Sequence, residues 1–164
     1  MIDRHHTVTF TGHRTYCGEA DEALRQAIVR LVQQGYTTFL SGMALGFDLA
    51  AAEQVLQLRQ EGFLLRLVAV IPFRGQERSY SDEERARYCR VVAEADEVIT
   101  LAEQFHRGAY QVRNDYLVSH ASYLVAWYNG SKGGTQYTFL KGLKCGLELE
   151  NLATFQLLDQ RLFQ

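Results

Sequence analysis

Four short stretches of this chain carry side chains and backbone shapes from which an anion site can be built. Thr11-Gly12-His13-Arg14 puts an imidazole and a guanidinium beside a glycine. Ser41-Gly42-Met43-Ala44-Leu45-Gly46-Phe47-Asp48 follows a short apolar run and opens into the alanine-rich segment Leu49 to Glu53. Arg113-Asn114-Asp115 adds a second guanidinium beside an amide and a carboxylate, and Gly130-Ser131-Lys132-Gly133-Gly134-Thr135 is a second glycine turn. A strand, a glycine turn and a helix start leave backbone N–H groups unpaired at the positive end of the helix dipole, where phosphate fits. Ser41, Gly42, Met43 and Gly46 in one turn, and Gly133, Gly134 and Thr135 in the other, are therefore candidate backbone donors and close-approach positions. Arg14 and Arg113 suit charge-assisted hydrogen bonds to phosphate or carboxylate. Asp48 and Asp115 suit ribose hydroxyls, and Gly12, His13 and Asn114 complete the candidate set.

Each residue also has a plainer reading. Gly42 and Gly46 serve equally to pack a helix tightly on a sheet. The arginines suit surface ion pairs, Asp48 suits a helix cap, and His13 suits a hydrogen bond that holds its own loop. His106 and His120 read as surface or helix-packing residues. Phe73, Tyr80, Tyr110, Tyr128 and Tyr137 flank the loops, where one or two could stack on a base and the rest serve as core. Three nucleotide and nucleophile signatures are absent. The first turn is not Gly-x-Gly-x-x-Gly, no Gly-Lys-Ser/Thr run exists, and there is no Gly-x-Ser-x-Gly.

The elements that must position these residues alternate from end to end. Thr7–Thr11, Thr37–Leu40, Leu64–Ile71, Glu97–Leu101 and Ser122–Tyr128 read as strands, rich in β-branched and apolar residues. Between them, Ala20 to Leu31, Phe47 to Gln60, Asp82 to about Ala95 and about Ala109 to His120 read as helices, and a last helix follows the second glycine turn. Ser81 is the expected cap of the third helix. A sixth strand is expected over residues 153–158. This alternation predicts an α/β fold: one domain over residues 1–164, a Rossmann-like three-layer sandwich with a mostly parallel, doubly wound sheet. The expected strand order is 3-2-1-4-5, which brings the loops after strands one, two, four and five to one crevice.

Composition narrows the function classes. The 164 residues are 47% hydrophobic and 22% charged, with 17 basic against 19 acidic residues, so nothing announces a polyanion partner and nucleic acid is disfavoured. Cys17, Cys89 and Cys145 are odd in number and lack metal-ligand spacing, which predicts reduced thiols, a cytoplasmic location and no metal. No apolar run approaches the roughly 20 residues that span a bilayer, and the start lacks a signal-peptide core, so no membrane association is expected. His5-His6 reads as a solvated leader. Phe139 and Leu143 on the last helix suit either the core or a contact with a protein partner or a second copy.

Five segments in register carry a resemblance: Thr11-Gly12-His13-Arg14, Ser41 to Gly46 with Asp48 and Ala51-Ala52-Glu53, Pro72-Phe73 with Gln76, Arg113-Asn114, and Gly133-Gly134-Thr135. Together they resemble the YpsA-like family of the SLOG superfamily, which also includes the DNA-processing protein DprA and the cytokinin-activating LOG phosphoribohydrolases. The resemblance implies a Rossmann-like domain that binds a nucleotide or nucleotide-derived ligand through the two glycine turns, with no other cofactor. It implies no settled activity. The enzymes of the superfamily cleave N-glycosidic bonds with an arginine and a glutamate; Arg113 lies in a comparable segment, but Thr138 stands where that glutamate would be. A hydroxyl cannot supply the carboxylate that such a reaction uses. Tyr80 replaces a common tryptophan, and Asp115 stands where a basic or neutral residue is usual. DprA's DNA handling depends on a basic surface that this composition does not announce. The leading expectation is a binding or sensing module for a nucleotide-like small molecule. The rival is a hydrolase in which Asp48, Asp115 or Glu53 replaces the missing glutamate.

Overall fold

The computed structural model describes residues 2–153. Strands β1 (Thr7–Gly12), β2 (Thr38–Ser41), β3 (Arg66–Ile71), β4 (Glu97–Thr100), β5 (Tyr123–Trp127) and β6 (Glu148–Asn151) alternate with helices α1 (Asp21–Gln33), α2 (Phe47–Gln60), α3 (Asp82–Glu94), α4 (Ala109–Ser119) and α5 (Gly134–Lys144). The six strands form one parallel sheet in the order β4-β3-β2-β1-β5-β6. The expected α/β, doubly wound, Rossmann-like architecture is found.

Successive strand residues point to opposite faces, and the two faces hold different helices. Phe39, Leu67, Ala69 and Ile71 join Val8 and Phe10 in a core with Leu24, Ile28 and Leu31 of α1, Val55 and Leu58 of α2, and Tyr88 and Val91 of α3. Their neighbours Leu40, Val68 and Val70 pack instead against Leu117 of α4. Val118 meets Leu124 and Leu147 on the same side, and Gly142 of α5 lies so near Leu124 that a methyl group there would sit 2.9 Å from it. Three helices therefore cover one face and two cover the other.

The strand order corrects the sequence reading. β4 does not lie beside β1; it pairs with β3 at the outer edge, through Val68↔Glu97 to Ile71↔Thr100, and β5 takes the place beside β1. An edge strand has one partner and incomplete cover, which matches the half-exposed Glu97 and the 41% exposure of Val98. The sixth strand lies earlier than expected, at Glu148–Asn151 beside β5; apart from Ala153, the stretch 153–158 falls outside the described residues. From β4 the chain must recross β3, β2 and β1 to reach β5, and α4 makes that crossing. This brings Arg113 of α4 against the end of β2.

Two helix starts show how the sequence fixes its boundaries. At α3 the Ser81 hydroxyl accepts from the Glu84 N–H at 3.2 Å while the Glu84 carboxylate accepts from the Ser81 N–H at 3.1 Å, a closed capping box. At α2 the cap is Gly46, with φ +82°, and Asp48 lies two residues past it, in the first turn. On α5, Phe139 packs against Tyr128 at 4.7 Å between ring centres, whereas Leu140 and Leu143 are each 53% exposed. No helix among the described residues is long and apolar enough to cross a membrane.

Candidate functional site

The carboxyl ends of the strands open into a cleft of ≈ 370 Å³. Thr11, Gly12 and Arg14 come from β1 and its loop, Ala44, Leu45 and Asp48 from the β2–α2 turn, and Gln76, Ser79 and Tyr80 from the loop after β3. Tyr110, Arg113 and Asn114 come from α4, and Gly134 and Thr135 from the start of α5. The cleft lies where the strand order reverses, between β1 and β5, as ligand crevices do in open α/β sheets. The loop after β3 takes the role that the sequence reading gave to the loop after β4, because β4 stands at the far edge of the sheet.

The β1 loop and the α2 start are docked through two glycines. A methyl group on Gly12 would sit 2.4 Å from the Phe47 ring and Cβ. One on Gly46 would fall 2.5 Å from the His13 carbonyl oxygen and 2.6 Å from that of Arg14. The same His13 carbonyl accepts from the Phe47 N–H at 3.3 Å and from the Tyr16 N–H at 3.2 Å. Leu49 N–H donates to Ala44 O at 3.1 Å, and the Met43 N–H donates to the Ser41 hydroxyl at 3.2 Å. Several donors of this turn are thus already spent within the protein, and the Asp48 carboxylate occupies the positive end of the α2 dipole. The α2 turn therefore presents a buried acceptor to the cleft and few free donors.

The α5 start differs. Its cap, Gly133, has no side chain to accept a hydrogen bond, and the N–H groups of Gly134, Thr135 and Gln136 have no partner among the described residues. Gly134 and Thr135 line the cleft, so their N–H groups are open donors there. Arg14 is exposed beside the cleft and forms no ion pair among the described residues.

Between the two turns stand two buried charges. Arg113 is 6% exposed; its Nη1 donates to Gly42 O at 3.0 Å and its Nε to the Asn114 side-chain oxygen at 3.1 Å. Nη2 has no partner among the described residues, yet no buried side-chain nitrogen or oxygen there lacks one, so Nη2 reaches the cleft surface. Asp48 is 5% exposed, and no side chain donates to its carboxylate among the described residues. Burial pushes the Asp48 carboxyl up to about 6, against the opposing pull of Arg113 and of the Ala44 N–H. Burial also lowers the pKa of Arg113, while Asp48 acts to raise it. Gly42 separates the pair: a methyl group there would lie 2.8 Å from Arg113 Cδ and 3.1 Å from Asp48 Oδ2. Tyr80, whose pKa burial pushes up to about 12, lines the cleft with them.

Of the candidates, Gly12, Arg14, Asp48, Arg113, Asn114, Gly134 and Thr135 line one cleft. Ser41, Gly42, Met43 and Gly46 stand behind it and shape the turn. The Ser41 hydroxyl donates to Asp48 O at 2.9 Å, and the Met43 side chain is wholly buried. His13 holds the rim: the Asn129 N–H donates to its Nε2 at 3.0 Å, and its ring packs on Trp127 and Tyr128, with burial lowering its pKa. Gly133, with φ +142°, sets the direction of the α5 start.

Asp115, expected at a ribose hydroxyl, does not line the cleft. Its carboxylate meets Lys141 Nζ at 2.6 Å and the Tyr137 hydroxyl at 2.7 Å between α4 and α5, away from the cleft. Glu53 is likewise engaged, by Arg87. Thr138 is buried and turns its hydroxyl back to Gly134 O at 3.0 Å. Gln76 entered the sequence reading only through the resemblance. It is buried, and its Nε2 donates to Met43 O at 3.1 Å, fixing a residue whose φ of 60° only a well-held turn sustains. A lone polar residue in a loop after an apolar strand was the available signal. Among the described residues no three His, Cys, Asp or Glu side chains form a group able to hold a metal.

The sheet order, the crevice at its reversal and the glycine-shaped loops define a Rossmann-like α/β protein with a ligand-sized cleft. The model of the YspA SLOG family matches residues 7–159, and the chain belongs to that family, the YpsA-like proteins of the sequence reading. A UPF0398 protein of Halalkalibacterium halodurans is 31% identical over 125 residues, which cover 75% of this chain and 66% of that protein. The SPbeta prophage-derived protein YoqJ of Bacillus subtilis is 32% identical over 110 residues, 60% of this chain and 64% of YoqJ. The chain thus spans about two thirds of the length of the curated relatives it matches. Among solved structures, DNA processing protein A from Streptococcus pneumoniae superposes with a TM-score of 0.64 at 18% identity, covering 87% of this chain and 48% of that one. That likeness concerns the fold.

Proposed function

We propose that the cleft binds a nucleotide-derived small molecule, with its phosphate toward the α5 start and Arg113 and its sugar toward Asp48. The observation that carries this reading is the pair of buried, unlike charges with unused hydrogen-bonding capacity facing one cleft. Burying a charge without full hydrogen bonding costs free energy, so such a pair is best explained by a ligand that completes it. A phosphate accepts from Arg113 Nη2 and from the free N–H groups of Gly134, Thr135 and Gln136. A ribose hydroxyl donates to Asp48, and Tyr80 and Tyr110 offer ring faces to a base. The cleft volume falls within the range of small-molecule sites. The three cysteines are unpaired and exposed, which suits a reducing, cytoplasmic setting. Leu140 and Leu143 offer an apolar face for a partner protein or a second copy.

Thermal shift with mono-, di- and cyclic nucleotides, ADP-ribose and NAD tests the reading. A true ligand at about one hundred times its Kd raises stability by roughly 2.7 kcal/mol. A flat response across the panel refutes the proposal. Hydrolysis of an N-glycosidic bond is the second reading, and the elevated pKa of the Asp48 carboxylate, which no side chain bonds among the described residues, is the observation that favours it. Incubation with nucleoside monophosphates decides it: free base must appear with the wild type and vanish with Asp48→Asn.

A further inference from the structure

Beside the cleft, the rings of Phe73, Phe105 and Tyr110 meet one another, with centroids 5.3, 5.7 and 6.3 Å apart. None of them belongs to the cores that hold the helices to the sheet. Phe105 is 63% exposed and Tyr110 49%, so two adjoining rings show large apolar faces to water. Two contacts join the loops that carry the shelf. Arg74 N–H donates to Ala102 O at 3.0 Å and the Arg74 side chain pairs with Glu103 at 2.8 Å, which ties the loop carrying Phe73 to the loop carrying Phe105. Those two charges cancel, leaving a surface suited to an uncharged ring.

Tyr110 belongs to both places. It lines the cleft, and the Arg113 guanidinium carbon stands 5.5 Å from its ring centre. A ligand anchored at Arg113 therefore has a fixed aromatic surface one residue away. We propose that this shelf stacks a second planar ring, so that the ligand class of the cleft is a dinucleotide, two nucleosides joined through phosphates, rather than a mononucleotide. The inference rests on the nucleotide reading of the cleft given above. The continuity through Tyr110 argues for the far end of the same ligand over an apolar segment of another protein, which would have no need of the buried arginine.

Isothermal titration with ADP-ribose and with di(adenosine-5′) diphosphate tests it, because the two probes differ by one adenine. One stacked base is worth about 1–3 kcal/mol, so the dinucleotide should bind roughly 5- to 150-fold more tightly. Phe105→Ala should abolish that difference while leaving ADP-ribose affinity and thermal stability unchanged, since the ring is mostly exposed. Equal affinity of the two probes for the wild type overturns the shelf alone. So does a difference that survives in Phe105→Ala, or an equal loss of both ligands in that variant, which would mean that a single ring uses the shelf. Absence of binding by either probe removes the nucleotide reading and the shelf with it.

Discussion

Asp48→Asn should make the protein more stable at neutral and alkaline pH and leave it unchanged in acid. In the unfolded chain the carboxyl titrates near its ordinary 3.8, and in the folded protein burial raises it to about 6. The folded state therefore holds the proton more tightly. Its contribution is fully present below about pH 4 and is lost as the pH rises through about 6. That loss amounts to about 3 kcal/mol. Asparagine has the shape of the neutral acid and never ionises, so the variant keeps what the wild type gives up. For a chain of this length the gap corresponds to roughly 6–12 °C in Tm. Glu61, Glu84 and Glu103 have pKa values lowered by their partners and lose stability toward acid. They do so equally in both proteins, so the difference between variant and wild type isolates Asp48. Urea unfolding followed by circular dichroism from about pH 4 to about pH 8 measures it. A gap that stays constant across that range, or a variant less stable than the wild type at the alkaline end, refutes the account of Asp48 as a buried, under-bonded carboxylate.

Gly46→Ala should cost more than about 3 kcal/mol, combining backbone strain with a clash against the His13 and Arg14 carbonyls. Gly35→Ala is its control: φ is +102° but nothing lies within 4 Å, so chemical denaturation should show only the strain of about 1–2 kcal/mol. Gly134→Ala should leave the melting temperature unchanged, because only Asn114 Nδ2 lies near, at 3.7 Å, but titration should show weakened nucleotide binding. Arg14→Ala should move stability by less than about 0.5 kcal/mol, while lowering both ligand affinity and its dependence on salt.

Local signals were strong where glycine brackets a helix. The extent of α2 was legible because Gly46 and Gly62 bound an alanine-rich run, and the start of α3 because Ser81 precedes three acids. Strand order was not legible, because a parallel strand's neighbour is chosen by a crossover tens of residues long, and nothing in Glu97–Thr100 states which edge it joins. β6 escaped notice for a related reason. Glu148-Leu149-Glu150-Asn151 is a polar segment that an edge tolerates and a central strand would not. The same gap governs the site. The loops of Gly12 and Gly134 were readable as turns, but the burial of Arg113 depends on α4 recrossing the sheet to meet Gly42 O. Asp115, one turn-mate away, could be separated from Arg113 only by knowing that its side of α4 faces α5.

The crossover also has a consequence in time. β1 pairs Val8 to Gly12 with Tyr123 to Trp127, so the strand at the centre of the sheet waits for nearly the whole chain before its second neighbour exists. On the ribosome, β1 to β4 and their three helices can assemble as a half-covered sheet while the wall made by α4 and α5 is still missing. Parallel pairing over such a separation is slow, because the loop entropy is lost before any contact is gained. The cleft is thus completed only once α4 and the start of α5 have been made, and whatever it holds meets a chain whose first four strands are already folded.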